Sequence, residues 1–352
     1  MTLLEISGLE VTYRRGKTIR ALSDINLTIN RGEIVGLVGE SGSGKSTLGM
    51  AIPRLLSGTG RISSGSIVFD GEELTDYTER ELLAVRGSRI AVVFQDPSTS
   101  LNPVLTVGEQ IAETIRMHRD TNESTSVWTE SLRKFAGPLA RRGESWSGAV
   151  QMLTRMGIPD PHDNARRYPH QLSGGMRQRG SIAMALSCEP DLLIADEPTT
   201  ALDVTVQATV LRELVDLVRD LNTSVLLITH DLDVASQFCD RIVVMYGGQL
   251  FEVGSAREVF ENPQNPYTLA LLASQPRLQS AGDRLLGLEG DTPDLSEEQV
   301  GCRFAGRCPE TIPACHTDQP QLDRLIERLV LHDPDHHSRC LRRETVTTGR
   351  KG

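Results

Sequence analysis

Residues 39–46 read Gly39-Glu40-Ser41-Gly42-Ser43-Gly44-Lys45-Ser46. The spacing is Gly, four residues, then Gly-Lys-Ser, the pattern of a loop that wraps phosphate. Glycines let the backbone curl until several N–H groups point at one anion, and the helix that follows adds its positive end. Lys45 supplies a point charge for β- and γ-phosphates, and the Ser46 hydroxyl suits Mg²⁺. A plain Gly-rich strand–helix turn is the competing reading. The apolar strand before the loop and the helix after it favour the phosphate loop.

Two further strand ends carry polar chemistry. Leu192-Leu193-Ile194-Ala195-Asp196-Glu197 is an apolar run ending in two carboxylates. Asp196 is placed to hold Mg²⁺ or its water shell, and Glu197 to polarise an attacking water. Acidic strand ends are common, but this one follows a phosphate loop in a parallel-sheet pattern. Leu226-Leu227-Ile228-Thr229-His230-Asp231 is a second such strand. His230 suits a γ-phosphate sensor, although a lone histidine at a strand end is more often structural.

These residues need a scaffold of alternating strands and helices. Residues 1–30 alternate apolar and polar in short runs and predict antiparallel strands. Strands are expected at Glu33–Gly39, Ser66–Phe69, Arg89–Phe94, Leu192–Ala195 and Val225–Thr229. Helices are expected from Lys45, over Glu79–Val85 and over 204–221. Residues 106–170 read as helical, interrupted near 119–148 by a polar stretch that reads as a mobile surface insert. Ile242–Tyr246, Gly247-Gly248 and Gln249–Val253 read as a hairpin. The alternation predicts an α/β fold with a parallel core sheet covered on both faces.

The whole chain has 352 residues, a formal net charge of −10 and 38% hydrophobic residues. That length suits one large α/β domain with an appendix, or two domains. The acidity argues against a nucleic-acid partner and for plain solubility. Apolar runs such as Ile34–Val38 are far shorter than the ~20 residues a membrane helix needs. No secretory signal is evident, so a cytosolic location is expected, with any membrane role peripheral. Composition shifts after about residue 262, and a small C-terminal module holding four of the six cysteines is expected from about 285.

As an ordered set, the motifs resemble those of ATP-binding cassette (ABC) ATPases over residues 1–260. The set comprises the phosphate loop, Gln95 in VVFQDP, the signature-like Leu172-Ser173-Gly174-Gly175-Met176-Arg177-Gln178, Asp196-Glu197, Ala201-Leu202-Asp203 and His230. The resemblance implies a P-loop NTPase fold with an antiparallel N-terminal β subdomain and a helical subdomain over about 100–180. It implies a cassette over 1–262 and an extension over 263–352. ATP would lie against Tyr13, stacked on adenine, and against Gly39, Ser41, Gly42, Ser43, Gly44, Lys45, Ser46 and Thr47. Mg²⁺ would fall to Ser46, Gln95 and Asp196, and catalysis to Glu197, His230 and Gln95. Ser173, Gly174, Gly175 and Asp203 would meet the ATP held by a second ATPase subunit. Such domains close head to tail on two nucleotides.

A narrower resemblance links FQDPSTSLNPVLTVGEQ, PHQLSGGMRQR, ADEPTTALDVTVQ and NPYTLALLASQP to the ATPases of dipeptide, oligopeptide and nickel importers. It implies two transmembrane permeases, an extracytoplasmic solute-binding protein, a second ABC ATPase and a place on the cytoplasmic face of the membrane. Gly180 departs from the pattern, where an aliphatic residue is expected. The alternatives are a non-transport ABC ATPase, which usually carries two cassettes or long coiled-coil inserts, and a GTPase, which needs a guanine-reading motif absent here.

Cys302, Cys308, Cys315 and Cys340 are separated by five, six and twenty-four residues. Four thiols in a core-poor module suggest a metal staple. The Cys-x₂₋₄-Cys pair usual for zinc is missing, so the spacing favours a [4Fe–4S] cluster, with zinc, free thiols or disulfides as alternatives. The module reads as structural, and a regulatory sensor is a further alternative. Cys188 and Cys239 read as small core residues.

Overall fold

The computed structural model describes residues 1–96, 100–119, 143–200, 202–274, 290–297, 299–320, 322 and 336–341. In chain order the elements are β1 (Thr2–Arg15), β2 (Lys17–Asn30), β3 (Ile34–Val38), α1 (Lys45–Ala51), β4 (Arg61–Phe69), β5 (Glu72–Glu73), α2 (Glu79–Val85), β6 (Ile90–Val93) and α3 (Val107–Arg119). There follow α4 (143–155), α5 (Pro161–Ala165), α6 (Gly174–Leu186), β7 (Leu192–Asp196), α7 (Val204–Leu221), β8 (Ser224–Thr229) and α8 (Leu232–Phe238). The last are β9 (Arg241–Tyr246), β10 (Gln249–Ser255), α9 (Ala256–Glu261), α10 (Pro266–Ala273) and β11 (His337–Ser338). The chain divides into two compact units, Met1–Asp76 with Leu227–Gly352, and Tyr77–Leu226.

The first unit holds two sheets. One is antiparallel, in the order β2-β1-β4-β5. In β2, alternation buries Leu22, Ile25, Leu27 and Ile29 and leaves Thr28 and Asn30 outside. The other runs β11-β10-β9-β3-β8. Every residue of β3 is buried, which is why its sequence is an unbroken apolar run. β3 and β9 pair in parallel, with Leu37 opposite Val243. β10 turns back antiparallel on β9, and β11 adds antiparallel to β10, with Glu252 opposite Ser338.

The expected parallel core sheet is therefore mixed. The cause is local: Gly247 and Gly248 both have positive φ, 52° and 81°, and such a two-residue turn can only return a strand antiparallel. The described C-terminal residues join this unit. Arg339, 2% exposed, donates to the carbonyls of Leu250 (2.9 Å) and Pro320 (3.0 Å) and to Asp24 Oδ2 (3.0 Å).

The second unit pairs β6 and β7 in parallel, with Val93 opposite Ala195, and carries α2 to α7. α2 opens on a capping box between Thr78 and Glu81. α7 is capped by Asp203 and ends on Asn222 in the left-handed region. The polar stretch near 119–148 needs correction at its end. Residues 143–155 are helical, and Ser145, Ala149 and Leu153, spaced i, i+4, i+8, are all buried. The rest of that stretch, 120–142, lies outside the described residues. Gly180 has a packing reason: an added Cβ would lie 3.1 Å from Val107 Cγ1, so α6 and α3 approach closely there.

Candidate functional site

In the first unit, β3 delivers the chain to Gly39 and α1 begins at Lys45, so the loop is held at both ends. Gly39 is required sterically, because a Cβ there would stand 2.1 Å from the Met245 carbonyl oxygen. Gly42 and Gly44 have φ of 79° and 104°, values open to glycine at little cost. Lys45 is 5% exposed, and its Nζ donates to the carbonyls of Gly39 (2.8 Å) and Glu40 (2.9 Å). The ammonium is thus directed back over the loop. The Ser43 side-chain oxygen is buried without a hydrogen-bond partner. A buried donor without a partner in a Gly-rich loop fits an anionic oxygen as ligand.

Tyr13 lies half-buried on β1, its ring over Gly60. The neighbouring Arg14 exchanges two backbone hydrogen bonds with the Thr59 hydroxyl (2.8 and 3.0 Å). His230 is exposed just past β8, and Asp231 beside it caps α8 by accepting from Asp233 and Val234.

The second unit brings Gln95 and Glu197 together. Gln95 Nε2 donates to Glu197 Oε2 at 3.0 Å, and the Thr200 hydroxyl donates to the same oxygen at 2.9 Å. Glu197 follows β7 with φ of 46°. A non-glycine residue held there is strained by roughly 1–3 kcal/mol, a cost met mostly at functional positions. Asp196, half-buried, ends the strand itself.

Ser173, Gly174, Gly175 and Asp203 line one open cavity of about 440 Å³, together with Met176, Arg179, Leu202, Val206 and Thr209. Ser173 caps α6 by accepting from Met176 N, and Asp203 caps α7 by accepting from Val206 N. Both thus serve as helix caps within the chain. Ala201 lies outside the described residues. Sequence reasoning passed over Thr200 and Arg179. The latter pairs with Glu213 through two hydrogen bonds, 2.7 and 2.9 Å. The usable signal for Thr200 was its i+3 spacing from Glu197.

The cysteines converge. Cys302, Cys308, Cys315 and Cys340 line a small cavity with Phe251, Pro266 and Phe304. Burial pushes the Cys302 thiol up to about 11; a Phe304 N–H lowers it, and Cys315, Cys340 and Cys308 raise it further. Burial also raises Cys308. Among the described residues, no group of three or more His, Cys, Asp or Glu is arranged to hold a metal ion. The cavity encloses about 20 Å³, little more than room for a water. Cys239 is buried, as expected for a core residue, with Gly36 closely opposite its Sγ. Cys188 is only half-buried, its thiol on the Thr114 carbonyl.

Comparison with known proteins agrees in both halves of the chain. The family described as ABC transporter matches residues 22–200, and the one described as oligopeptide/dipeptide transporter, C-terminal region, matches residues 251–315. The oligopeptide transport ATP-binding protein OppD of Salmonella typhimurium is 43% identical, over 90% of this chain and 89% of its own length. The oligopeptide transport ATP-binding protein AppD of Bacillus subtilis is 44% identical, over 91% and 93%. Among solved structures, a dimeric ATP-binding cassette in a post-hydrolysis state with ADP and Pi is 29% identical, with a TM-score of 0.60, and spans 72% of this chain and 99% of its own.

Proposed function

Because the chain belongs to the ABC transporter family and carries its oligopeptide/dipeptide C-terminal region, we propose that it is the subunit that hydrolyses ATP to drive peptide uptake. The observation that carries this is the loop over 39–46, with a buried lysine directed across it and a buried, unpartnered serine hydroxyl inside it. The relatives are named for peptides, and the nickel and non-transport readings find no support in them.

Each residue has a role by its chemistry. Loop amides and Lys45 take the triphosphate. Ser46, Gln95 and Asp196 would hold Mg²⁺ through oxygens, the ligands it prefers, and the ion would shield the charge of the phosphates. Glu197 polarises the attacking water, with Gln95 and Thr200 fixing its carboxylate. The water oxygen bonds to the γ-phosphorus as the bond to the β–γ bridging oxygen breaks, releasing ADP and phosphate. His230 suits a contact to the γ-phosphate, and Tyr13 stacking on adenine. Ser173, Gly174, Gly175 and Asp203, on their open cavity, suit the nucleotide of a second ATPase subunit.

Among the described residues no helix is long and apolar enough to cross a membrane. As the ATP-hydrolysing subunit of an importer, the chain is placed on the cytoplasmic face, bound through two permeases served by an extracytoplasmic solute-binding protein. Residues 1–262 form the cassette in this reading, and 263–352 the extension. The four cysteines would hold an iron–sulfur cluster through their thiolates, structural in role, a covalent staple for a module with little core. A cluster spreads its four sulfur ligands over several irons, whereas zinc gathers them on one.

The test is uptake into vesicles holding the chain, its permeases and its binding protein. ATP-dependent entry of oligopeptides that ceases with Glu197→Gln is expected. Entry of nickel in place of peptides would overturn the assignment.

A further inference from the structure

Glu40 is the first residue after the opening glycine of the loop, and it carries a negative charge where a triphosphate must come to rest. Uncompensated, that carboxylate opposes the anion the loop is built to bind. It is not uncompensated. Arg307 pairs with it through both guanidinium nitrogens, Nη1 to Oε2 at 2.7 Å and Nη2 to Oε1 at 3.1 Å. The arginine side chain is 6% exposed and the Glu40 side chain 24%. Two parallel charge-assisted bonds fix direction as well as charge.

The arginine is itself held. Its Nη1 also meets the Tyr246 hydroxyl at 3.1 Å, and its guanidinium lies 5.7 Å from the centre of that ring. Tyr246, Tyr267 and Phe304 pack ring against ring, with centroids 4.6 to 5.3 Å apart. The Tyr267 hydroxyl accepts from Glu40 N at 3.0 Å. On the other side of the loop, Gly248 N donates to the Ser43 carbonyl at 2.8 Å. Arg303 holds that same turn by donating to the Gly247 carbonyl, and its other arm reaches the Ser23 hydroxyl at 2.9 Å. Two arginines of one C-terminal segment therefore brace the loop from behind.

We propose that Arg307 is a positioning residue for nucleotide binding: by pairing with Glu40 it cancels a charge in the phosphate loop and aligns the loop's first turn. The C-terminal segment thereby sets the affinity for ATP. This rests on reading 39–46 as the phosphate loop.

The test is equilibrium binding of Mg²⁺ and AMP-PNP to the full chain by titration calorimetry, with the melting temperature of each variant measured alongside. Arg307→Gln is expected to weaken binding about tenfold, and Glu40→Gln in the same chain to restore it to within about threefold of wild type. Arg307→Lys, which keeps the charge and loses the fork, is expected to fall between. Equal affinity of wild type and Arg307→Gln overturns the proposal. If Arg307→Gln does not fold, Glu40→Gln is compared with the double variant. Equal binding supports the proposal, and a double variant weaker by about tenfold overturns it. Lys45→Ala separates the two readings. If it binds AMP-PNP as wild type does, the phosphate-loop reading itself falls. If it loses binding while Glu40 and Arg307 show no coupling, only the role of Arg307 falls.

Discussion

Glu197 is held by two donors and a strained backbone, whereas Lys45 is held by two carbonyls of its own loop. These arrangements predict different failures. Glu197→Gln keeps the shape and both neighbours but removes the group that polarises water. Turnover should fall by about 10²–10⁴-fold while ATP affinity stays put, the scale of a lost general base. Phosphate release against equilibrium nucleotide binding reads both. Lys45→Ala removes charge from the loop itself, so kcat/KM for ATP should fall by about tenfold or more, the factor each ~1.4 kcal/mol carries. Unchanged kcat/KM would take Lys45 out of the site. Glu197 was legible as a carboxylate at a strand end. Its strained backbone was not, because the φ of 46° depends on how the chain turns after β7.

At the scale of elements, Phe251 of β10, the start of α10 and the segment of β11 meet on one buried amide. Asn265, 1% exposed, donates to the carbonyls of Phe251 and Arg339, both at 3.0 Å, and accepts from Tyr267 N at 3.0 Å. Asn265→Ala leaves those carbonyls buried without that donor. The Phe251 carbonyl keeps Arg339 N at 2.8 Å, but Tyr267 N loses its acceptor, so unfolding in denaturant should show a loss of about 1–3 kcal/mol, the cost of an unsatisfied buried group. The cysteine cavity titrates in a defined direction. The Cys302 thiol is raised by burial from its ordinary 9.0 to about 11. The folded chain with free thiols therefore holds this proton more tightly than the unfolded one. Its contribution to stability is complete below pH 9 and declines as pH rises through 11. Melting temperatures across pH 8 to 11 should fall less in Cys302→Ala than in wild type; equal slopes would exclude Cys302 as the cause. The spacings grouped the four cysteines, but the apolar lining from Phe251, Pro266 and Phe304 was beyond them, since it depends on how the C-terminal segment packs on β10.

At the scale of the whole molecule, the cavity beside Ser173 and Asp203 is open, which suits a nucleotide that arrives from another subunit. Ser173→Arg should then abolish ATP turnover in the assembled transporter and leave nucleotide affinity of the isolated chain within about threefold, as expected if Ser173 serves the nucleotide of another subunit. A variant that loses its own binding would place Ser173 elsewhere. The sequence alone determined the elements: runs of period two or 3.6, glycines at turns, and a phosphate loop whose spacing leaves few alternatives. These are local, set by backbone sterics and by which face must avoid water. Tertiary structure decided what pairs over long separations. It laid β11 on β10, with Glu252 opposite Ser338, whereas the β9–β10 hairpin that mixes the sheet was already legible in Gly247-Gly248. Residues 143–155 joined the packed core as a helix. Arg307 found Glu40 across 267 residues of chain, because burial leaves two opposite charges stable only where the fold has already brought them together.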